Sequence, residues 1–339
     1  MVHETVQRIW YTRHPARWLL APWSGAFCVA ALVRRRLHRA GRVGRSPVPV
    51  LVVGNITAGG TCKTPLVIAL VEALRARGWR PGVISRGHGG RRREDPLPVT
   101  VDTSPLEAGD EPVLIARRAE CPVVVGRKRT AALSRLLRLH PECDVVLADD
   151  GLQHYQLYRD LEIAVVDGQR GFGNGWCLPA GPLREPVSRL RTVDWVVLQG
   201  PGPVAGVEPD ACMALLVEPA YNLQDPRRRR PLERFAGEAV AALAGIGDPQ
   251  RFFAMLRTRG LRPLTRAFDD HHVYRASDLS FAGRRPLLMT EKDAVKIRPF
   301  ARPWHWVVPV RARVGDGFFD EVSRALDAVR TQMEEEPDG

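Results

Sequence analysis

The 339-residue sequence has few cysteines, and their spacing excludes several classes of protein. The six cysteines are scattered, with no Cys-x-x-Cys pair and no His/Cys cluster at the spacing of metal ligands. The adjacent histidines His271 and His272 generally point in different directions, so they do not indicate a zinc site. Scattered single cysteines are typical of a cytosolic protein with reduced thiols.

Acidic residues are scarce in the first 45 residues, which hold nine arginines against Glu4 alone and so carry +8 of the +12 net charge. A long apolar run is also missing. The uncharged stretch at 18–33 has 16 residues, or roughly 24 Å as a helix, short of the roughly 30 Å core of a bilayer. Pro22 would kink such a helix. We therefore expect an interfacial or re-entrant membrane anchor rather than a clean span.

Two further features of this segment suit the anionic cytoplasmic face of a membrane, namely its flanking arginines and the tryptophans Trp18 and Trp23. An amphipathic core helix and a signal peptide are the alternatives. Arg34-Arg35-Arg36 follows the apolar run where a signal peptide would have a small-residue cleavage site. A nucleic-acid arm would explain the arginines but not the apolar stretch, so we predict no nucleic-acid partner.

Short apolar runs alternate with helical patterns in the next part of the chain. Apolar residues make up 45% and charged residues 26%, which is ordinary for a folded, soluble chain. The apolar runs, rich in Val and Ile, are residues 48–53, 81–85, 122–125, 144–148, 161–166 and 193–198. Helical patterns occupy residues 65–77 and 129–139. This order predicts an α/β fold with a doubly wound, mostly parallel sheet.

The length predicts more than one domain. We expect an N-terminal anchor helix at 1–47, a core domain at 48–218 and a smaller α/β lobe at 219–339. Within that lobe, residues 222–233 predict a solvated connection and Glu334-Glu335-Glu336 a frayed tail. The lobe's predicted elements are residues 239–245, 252–258, 287–290, 304–308 and a final helix at 318–333.

A glycine-rich loop, Gly59-Gly60-Thr61-Cys62-Lys63-Thr64, follows the first predicted strand. In a P-loop, backbone N–H groups surround the phosphates, a lysine reaches the β/γ-phosphates and a Ser or Thr binds Mg²⁺. Lys63 and Thr64 would fill the last two roles. The strict pattern has glycine at two positions where this chain has Thr57 and Cys62. The predicted ATP-binding residues are Thr57, Ala58, Gly59, Gly60, Thr61, Cys62, Lys63 and Thr64.

Two carboxylates, Asp149 and Asp150, follow the predicted strand at 144–148. In P-loop folds an acid at the end of a neighbouring strand completes the Mg²⁺ shell, directly or through water. A turn or a helix cap is the alternative for such a pair. Together with Thr64, the pair predicts a nucleotide and magnesium site.

The order of motifs along the chain resembles the tetraacyldisaccharide 4′-kinases, the lipid A 4′-kinases of Gram-negative bacteria. The resemblance covers almost the whole chain, including the N-terminal segment. The matching motifs are Val52-Val53-Gly54-Asn55-Ile56-Thr57, the P-loop, Ser85-Arg86-Gly87-His88-Gly89-Gly90, Gly109-Asp110-Glu111-Pro112, Asp149-Asp150-Gly151-Leu152-Gln153-His154, Arg170-Gly171-Phe172-Gly173-Asn174-Gly175, Leu178-Pro179-Ala180-Gly181-Pro182-Leu183-Arg184-Glu185, Ala244-Gly245-Ile246-Gly247-Asp248-Pro249, Asp270-His271-His272 and Thr290-Glu291-Lys292-Asp293.

This resemblance implies a P-loop NTPase-type fold in which residues 48–218 form a nucleotide-binding kinase core and the lobe at 219–339 contributes to the active-site cleft. It also implies an enzyme at the cytoplasmic face of the inner membrane. It would transfer the γ-phosphate of ATP, with Mg²⁺, to the 4′-hydroxyl of a tetraacylated glucosamine disaccharide 1-phosphate, giving lipid IVA. Its partners would be that lipid and the anionic membrane surface, and we predict no protein partner. A membrane-recruited regulatory P-loop NTPase and a membrane scaffold with a decayed nucleotide site are the alternatives.

The resemblance also implies roles for residues outside the loop. It makes Asp110 the base that accepts the acceptor's proton, with His271 as its orienting partner, 161 positions later in the chain. Without it, the two would be interpreted as a loop acid and a surface histidine. The sequence places further candidates in the same motifs. The predicted substrate-binding residues are Arg86, His88, Glu111 and His154.

Cys62 is the main departure from the family, which has glycine before its lysine. A β-carbon there would clash with phosphate or strain the backbone. Its thiol would also lie at a helix N-terminus beside Lys63, conditions that favour a thiolate, which would repel ATP. The sequence therefore predicts a nucleotide site of reduced efficiency.

Overall fold

The computed structural model describes residues 2–12, 14–40 and 44–335. Arg13 and Arg42 of the basic segment and Glu336 of the acidic tail lie outside the described residues. The strands are β1 (Val50–Gly54), β2 (Pro81–Ser85), β3 (Leu97–Val99), β4 (Val123–Val125), β5 (Val145–Asp149), β6 (Leu161–Asp167), β7 (Trp195–Gln199), β8 (Ala211–Val217), β9 (Ala220–Asn222), β10 (Arg229–Arg230), β11 (Ala241–Ala244), β12 (Leu264–Ala267), β13 (Leu287–Thr290), β14 (His305–Val308) and β15 (Val310–Val314).

Helices connect most of these strands. The α-helices are α1 (Val2–Tyr11), α2 (Ala16–Ala40), α3 (Lys63–Ala76), α4 (Pro105–Ala108), α5 (Asp110–Ala119), α6 (Arg129–Leu139), α7 (Pro249–Thr258), α8 (Glu291–Ile297) and α9 (Phe318–Glu335). Four 3₁₀ segments complete the described secondary structure, at Val187–Thr192, Leu232–Phe235, Ala276–Ala282 and Arg298–Phe300.

The larger sheet has nine strands in the order β15-β8-β7-β6-β1-β5-β2-β4-β3. Every neighbouring pair from β8 to β4 is parallel, and the two edge strands, β15 and β3, are antiparallel. Strands β1, β2 and β5 are buried along their whole length, because helices cover both faces of the sheet. Val53 of β1 pairs with Asp149 of β5, which places the end of β5 beside the start of the P-loop.

The smaller sheet has six strands in the order β10-β9-β14-β13-β11-β12. The strands from β14 to β12 are parallel, while β9 is antiparallel to both of its neighbours. Its core is a separate set of buried side chains that includes Phe235, Phe253 and Leu288. The chain therefore has two α/β lobes, each with its own packed centre.

Three sequence-based boundaries differ from the structure. Strand β15 returns to the larger sheet beside β8, so the smaller lobe does not extend to residue 339 as predicted. Helix α9 follows it, and Ser323 accepts a hydrogen bond from the indole of Trp79 at 3.1 Å. The predicted connection at 222–233 contains β10, which pairs with β9. Because α9 ends at Glu335, Glu334 and Glu335 are helical rather than frayed.

Helix α2 lies along the larger lobe and continues through Pro22. Ser24 Oγ donates to the carbonyl of Cys177 at 2.7 Å, and Trp18 packs edge-on against Trp176 with ring centroids 5.3 Å apart. The large apolar side chains exposed on this helix are Trp18, Leu19, Trp23, Phe27, Val29, Leu32, Val33 and Leu37. By length and composition alone, residues 16–37 could cross a membrane.

Candidate active site

The P-loop joins β1 to α3. Lys63, the first residue of α3, is largely buried, with its ammonium 3.2 Å from Asn55 Oδ1 and 3.3 Å from Asp150 Oδ1. Thr64 is buried in the first turn of that helix, next to the loop. Pro65 follows in that same turn, where its missing N–H costs no helical hydrogen bond. The loop thus has the strand and helix that a phosphate-binding site requires.

Asp149 and Asp150 lie beside this loop in different environments. Asp149 is buried at the end of β5, and its Oδ2 is 3.4 Å from Ser85 Oγ. Its Oδ1 is buried without a hydrogen-bond partner in the described part of the chain. Burial, together with the carboxylates of Glu111 and Asp150, raises the pKa of Asp149 to about 7. One oxygen of Asp149 is therefore available to a cation.

Asp150 is already paired with cations. Lys63 lies on one side at 3.3 Å, and Arg184 Nη1 on the other at 3.2 Å. Burial alone would raise the pKa of Asp150, but these two cations outweigh it and hold the pKa well below its usual range. Asp150 therefore remains ionised and links the P-loop lysine to the motif that contains Arg184.

The two residues predicted as base and partner meet across the lobes. His271 Nδ1 lies 3.1 Å from Oδ1 and 3.2 Å from Oδ2 of Asp110, the buried first residue of α5. The preceding Gly109 has a φ of +90°, and a β-carbon there would lie 2.6 Å from the carbonyl oxygen of His88. Only glycine permits this tight approach, which positions the start of α5. Folding thus joins two residues 161 positions apart.

The ion pair of Asp110 and His271 is stabilised in its charged form. Burial alone would raise the pKa of Asp110, but the hydrogen bond with His271 and the ammonium groups of Lys292 and Lys296 reverse this effect, and the pKa lies far below its usual range. The hydrogen bond with Asp110 raises the pKa of His271. Asp110 is therefore a carboxylate that can accept a hydrogen bond from a hydroxyl.

The four predicted substrate-binding residues line one cavity of about 1220 Å³, which also contains Lys63, Thr64, Asp150 and His271. His88 packs edge-on against His271, with ring centroids 5.1 Å apart. Glu111 accepts a hydrogen bond from Lys292 at 2.9 Å. Burial lowers the pKa of His154 to about 4, so this imidazole is neutral at pH 7. Arg86 lies at the cavity wall next to the Ser85 that contacts Asp149.

The smaller lobe closes over the P-loop. A β-carbon on Gly247, in the turn after β11, would lie 3.6 Å from the backbone nitrogen of Gly60. Two ion pairs join the lobes here: Arg170 to Asp248 at 3.0 Å, and Arg251 to Asp167 at 3.3 Å. Both arginines line the cavity, so the loop faces positive charge as well as backbone N–H groups.

Sequence reasoning missed several charged residues of this site, and some had a detectable signal. Arg170 and Lys292 lie in motifs quoted above without an assigned role. Lys292 and Lys296 are four positions apart in a helix, a spacing that puts both on one face. Arg129 had no such signal. It is buried in α6 and donates to the backbone carbonyl of Asp149 at 3.4 Å.

Comparison with known proteins decides the family. The family model for tetraacyldisaccharide-1-P 4′-kinase matches residues 16–327. The chain belongs to this family. It is 49% identical over 323 residues to a tetraacyldisaccharide 4′-kinase of Nitrosococcus oceani, covering 95% of this chain and 94% of that protein. It is 51% identical to the protein of that name from Xanthomonas euvesicatoria pv. vesicatoria, with 90% of each chain covered.

A solved structure is also similar. The "apo" form of LpxK from Aquifex aeolicus, in complex with ATP, has a TM-score of 0.76 and 26% identity, over 92% of this chain and 99% of that one. The predicted α/β fold class, the predicted family and the predicted enzyme class, a phosphotransferase with an alcohol acceptor, are confirmed. The lipid A 4′-kinase function is supported, and the alternative of a regulatory NTPase is not.

Cys62 occupies a strained position in the loop of this family member. It is the N-cap of α3 with a φ of +58° and a ψ of +35°, in the left-handed region that favours glycine. The backbone strain predicted for this residue is therefore present. The predicted thiolate is wrong, because burial raises the pKa of Cys62 and outweighs the nearby cations, of which Arg251 has the largest effect. The residue is a neutral thiol that does not repel ATP.

Cys62 allows a direct test of this strain. We expect Cys62→Gly to be more stable than Cys62→Ala by about 1 kcal/mol, because both lose the thiol but only glycine adopts the left-handed conformation without a steric penalty. Urea denaturation of the two variants measures the difference. Equal stabilities would show that the backbone at this position is relaxed.

Proposed function

We propose that this chain transfers the γ-phosphate of ATP, with Mg²⁺, to the 4′-hydroxyl of a tetraacylated glucosamine disaccharide 1-phosphate. The observation that carries the proposal is that one cavity is lined by the P-loop lysine and by His271, whose imidazole contacts the buried carboxylate of Asp110. A nucleotide switch needs the P-loop lysine. It has no acceptor hydroxyl for a carboxylate–imidazole pair to deprotonate. The relatives' name supplies the identity of the acceptor.

ATP would bind with its phosphates at the start of α3. The N-terminus of a helix presents unpaired N–H groups to an anion, and Lys63 adds a charge for the β/γ-phosphates. The cavity wall also carries Arg170 and Arg251, which offset the remaining negative charge. The similar Aquifex aeolicus structure is a complex with ATP, which supports this choice of nucleotide.

The residues present fit Mg²⁺ at this position. Among the residues that the structure describes, one buried oxygen of Asp149 has no hydrogen-bond partner, and Thr64 offers a hydroxyl from the adjacent helix turn. Within the described ranges, no group of three or more His, Cys, Asp or Glu residues is arranged to hold a metal. Mg²⁺ needs only one or two carboxylates because phosphates and water complete its shell. Asp149 and Thr64 would hold the ion, which supplies neutralisation of phosphate charge, whereas Asp150 is engaged by Lys63 and Arg184.

The acceptor hydroxyl would approach Asp110 from the cavity. As its oxygen forms a bond to the γ-phosphorus, the bond from phosphorus to the bridging oxygen of ADP breaks, and the hydroxyl proton passes to the Asp110 carboxylate. Phosphoryl transfer depends mainly on positioning and charge neutralisation. His271 fixes the orientation of that carboxylate through its hydrogen bond.

The membrane part of the proposal rests on α2. The helix is held to the larger lobe by Ser24 and by Arg34, which donates to the carbonyl of Gln153 at 3.3 Å. From Trp18 to Val33 its exposed side chains are apolar, which is contrary to the alternative of a core helix. Phe27 and Arg34 also line the active-site cavity. An interfacial helix at the cytoplasmic face of the inner membrane would therefore bring a lipid acceptor directly to the cavity.

Loss of the P-loop ammonium should abolish transfer. We expect Lys63→Ala to reduce phosphorylation of the lipid by two or more orders of magnitude, because the charge that faces the β/γ-phosphates is lost. Transfer of labelled phosphate from ATP to the purified disaccharide lipid measures the effect. Lys128→Ala, at an exposed position, is the control and should leave the rate unchanged. A near-normal rate for Lys63→Ala would remove the P-loop assignment.

If Asp110 accepts the proton, its replacement should lower the turnover rate and leave nucleotide binding unchanged. We expect Asp110→Asn to lower kcat by about 10²–10⁴-fold, the usual contribution of a general base, with little change in ATP affinity. Steady-state kinetics and calorimetry measure the two quantities. Glu107→Gln, an exposed acid on α4, is the control. An effect confined to KM would contradict the role of Asp110 as the base.

The exposed face of α2 should determine membrane attachment. We expect Leu19→Glu combined with Trp23→Glu to move the protein from the membrane fraction to the supernatant, because both side chains are exposed and their replacement leaves the lobe intact. Sedimentation with anionic vesicles measures the distribution. Deletion of residues 1–40 should have the same effect. A full-length protein that is already soluble would contradict the anchor.

A further inference from the structure

Lysine is rare in this chain, and three of its four lysines lie at the active site. Of 50 basic residues, only residues 63, 128, 292 and 296 are lysine. Arginine serves at nearly every other basic position of the chain. Lys63 contacts the P-loop and Lys292 contacts Glu111. Lys296 has no role in the mechanism described above.

Lys296 is buried between two carboxylates. Its side chain is only 8% exposed, and Nζ lies 3.6 Å from Asp110 Oδ2 and 3.5 Å from Asp293 Oδ1. The ring of Tyr274 lies under the ammonium, with its centroid 5.2 Å away. The charge therefore faces two carboxylates and an aromatic ring, while Nζ makes no hydrogen bond within the described residues.

Asp293 anchors this arrangement. It is fully buried and accepts hydrogen bonds from the Tyr274 hydroxyl at 2.8 Å, from Thr290 Oγ1 at 2.6 Å and from the backbone N–H of Gly245 at 3.1 Å. These three hydrogen bonds hold the carboxylate of Asp293 in one position. Lys296 follows it in the next turn of α8, so its ammonium is directed at Asp110 by a rigid support.

We propose that Lys296 is a positioning residue that keeps the proton-accepting carboxylate of Asp110 ionised and directed at the acceptor. The inference rests on the proposed function, in which Asp110 takes the hydroxyl proton. When Asp110 becomes neutral after transfer, Lys296 retains Asp293 as its partner. The ammonium is therefore never left as an unpaired buried charge, which explains why a second carboxylate faces it.

The electrostatic balance at Asp110 shows what Lys296 contributes. Three cationic groups face this carboxylate: His271 from the loop after β12, and Lys292 and Lys296 from α8. Burial opposes them by raising the pKa of Asp110. Facing Lys296 are Asp110 from α5, Asp293 from its own helix and Tyr274. Removing the ammonium takes away one of the contributions that lower the pKa of Asp110. The contribution of burial remains, so this pKa rises.

The test compares Lys296→Met, which is uncharged and of similar length, with Lys296→Arg, which keeps the charge. The measurement is the pKa of the Asp110 carboxyl, followed by carbon-13 NMR of aspartate-labelled protein and assigned with Asp110→Asn, with ATP affinity determined in parallel. In Lys296→Met, this pKa should rise by about 1 unit, the low end of the effect of one nearby opposite charge because His271 and Lys292 remain, with ATP affinity unchanged. In Lys296→Arg, the pKa of Asp110 should stay close to that in the unaltered enzyme.

The same two variants are then made in a His271→Asn background, in which the imidazole can no longer be the titrating group. The difference between Lys296→Met and Lys296→Arg should persist there. Asparagine suits that position because His271 has a φ of +60°. An unchanged pKa of Asp110 in Lys296→Met, or an equal rise in Lys296→Arg, would refute the inference. If Lys296→Met does not fold, Lys296→Gln takes its place. Absence of lipid phosphorylation by the unaltered protein would instead refute the proposed function, and the inference with it.

Discussion

The parallel pairing of β1 with β5 is the constraint on which the site depends. With Val53 opposite Asp149, the P-loop and a carboxylate leave the sheet at the same edge. Parallel strands with both faces covered have little freedom of register, because a shift of one residue would turn buried side chains to the wrong face. The distance between Lys63 and the Asp149-Asp150 pair therefore follows from backbone hydrogen bonds rather than from the side chains themselves.

The second half of the site depends on contact between the lobes. Asp110 and Glu111 begin a helix of the larger lobe, and their partners His271, Lys292 and Lys296 all belong to the smaller one. A carboxylate as buried as Asp110 is ionised only when cations surround it. The charge of the proposed base is thus a property of the assembled pair of lobes, and each lobe alone would hold a differently titrating group.

Much of this arrangement could be predicted from the sequence. Short runs of Val and Ile at 81–85 and a helical pattern at 129–139 match β2 and α6 because buried strands and amphipathic helices have strong local signatures. The P-loop was predictable because Gly59-Gly60 and Lys63-Thr64 follow an apolar strand and precede a helical pattern, although two glycines of the strict pattern are absent. The pairing of Asp110 with His271 was not, because no local pattern encodes a contact across 161 residues, and only the family resemblance indicated it.

Predictions from the local sequence were wrong where the packing around a residue decided the outcome. A thiol at a helix N-terminus beside a lysine is normally acidic, but Cys62 is enclosed and its pKa rises instead. The membership of β15 in the larger sheet was equally invisible, since a strand of alternating exposure could pair with either sheet. Both outcomes depend on what packs around a residue, which sequence spacing does not specify.

The return of β15 and α9 to the larger sheet makes the smaller lobe an insertion, with residues 220–308 placed between two neighbouring strands of its host. During synthesis, the nucleotide-binding lobe therefore lacks its outer strand until the last part of the chain has left the ribosome. Until then β8 is an open sheet edge, which is a hazard for aggregation. A chain truncated soon after residue 308 would complete the smaller lobe and leave the lobe that begins first in the sequence unfinished.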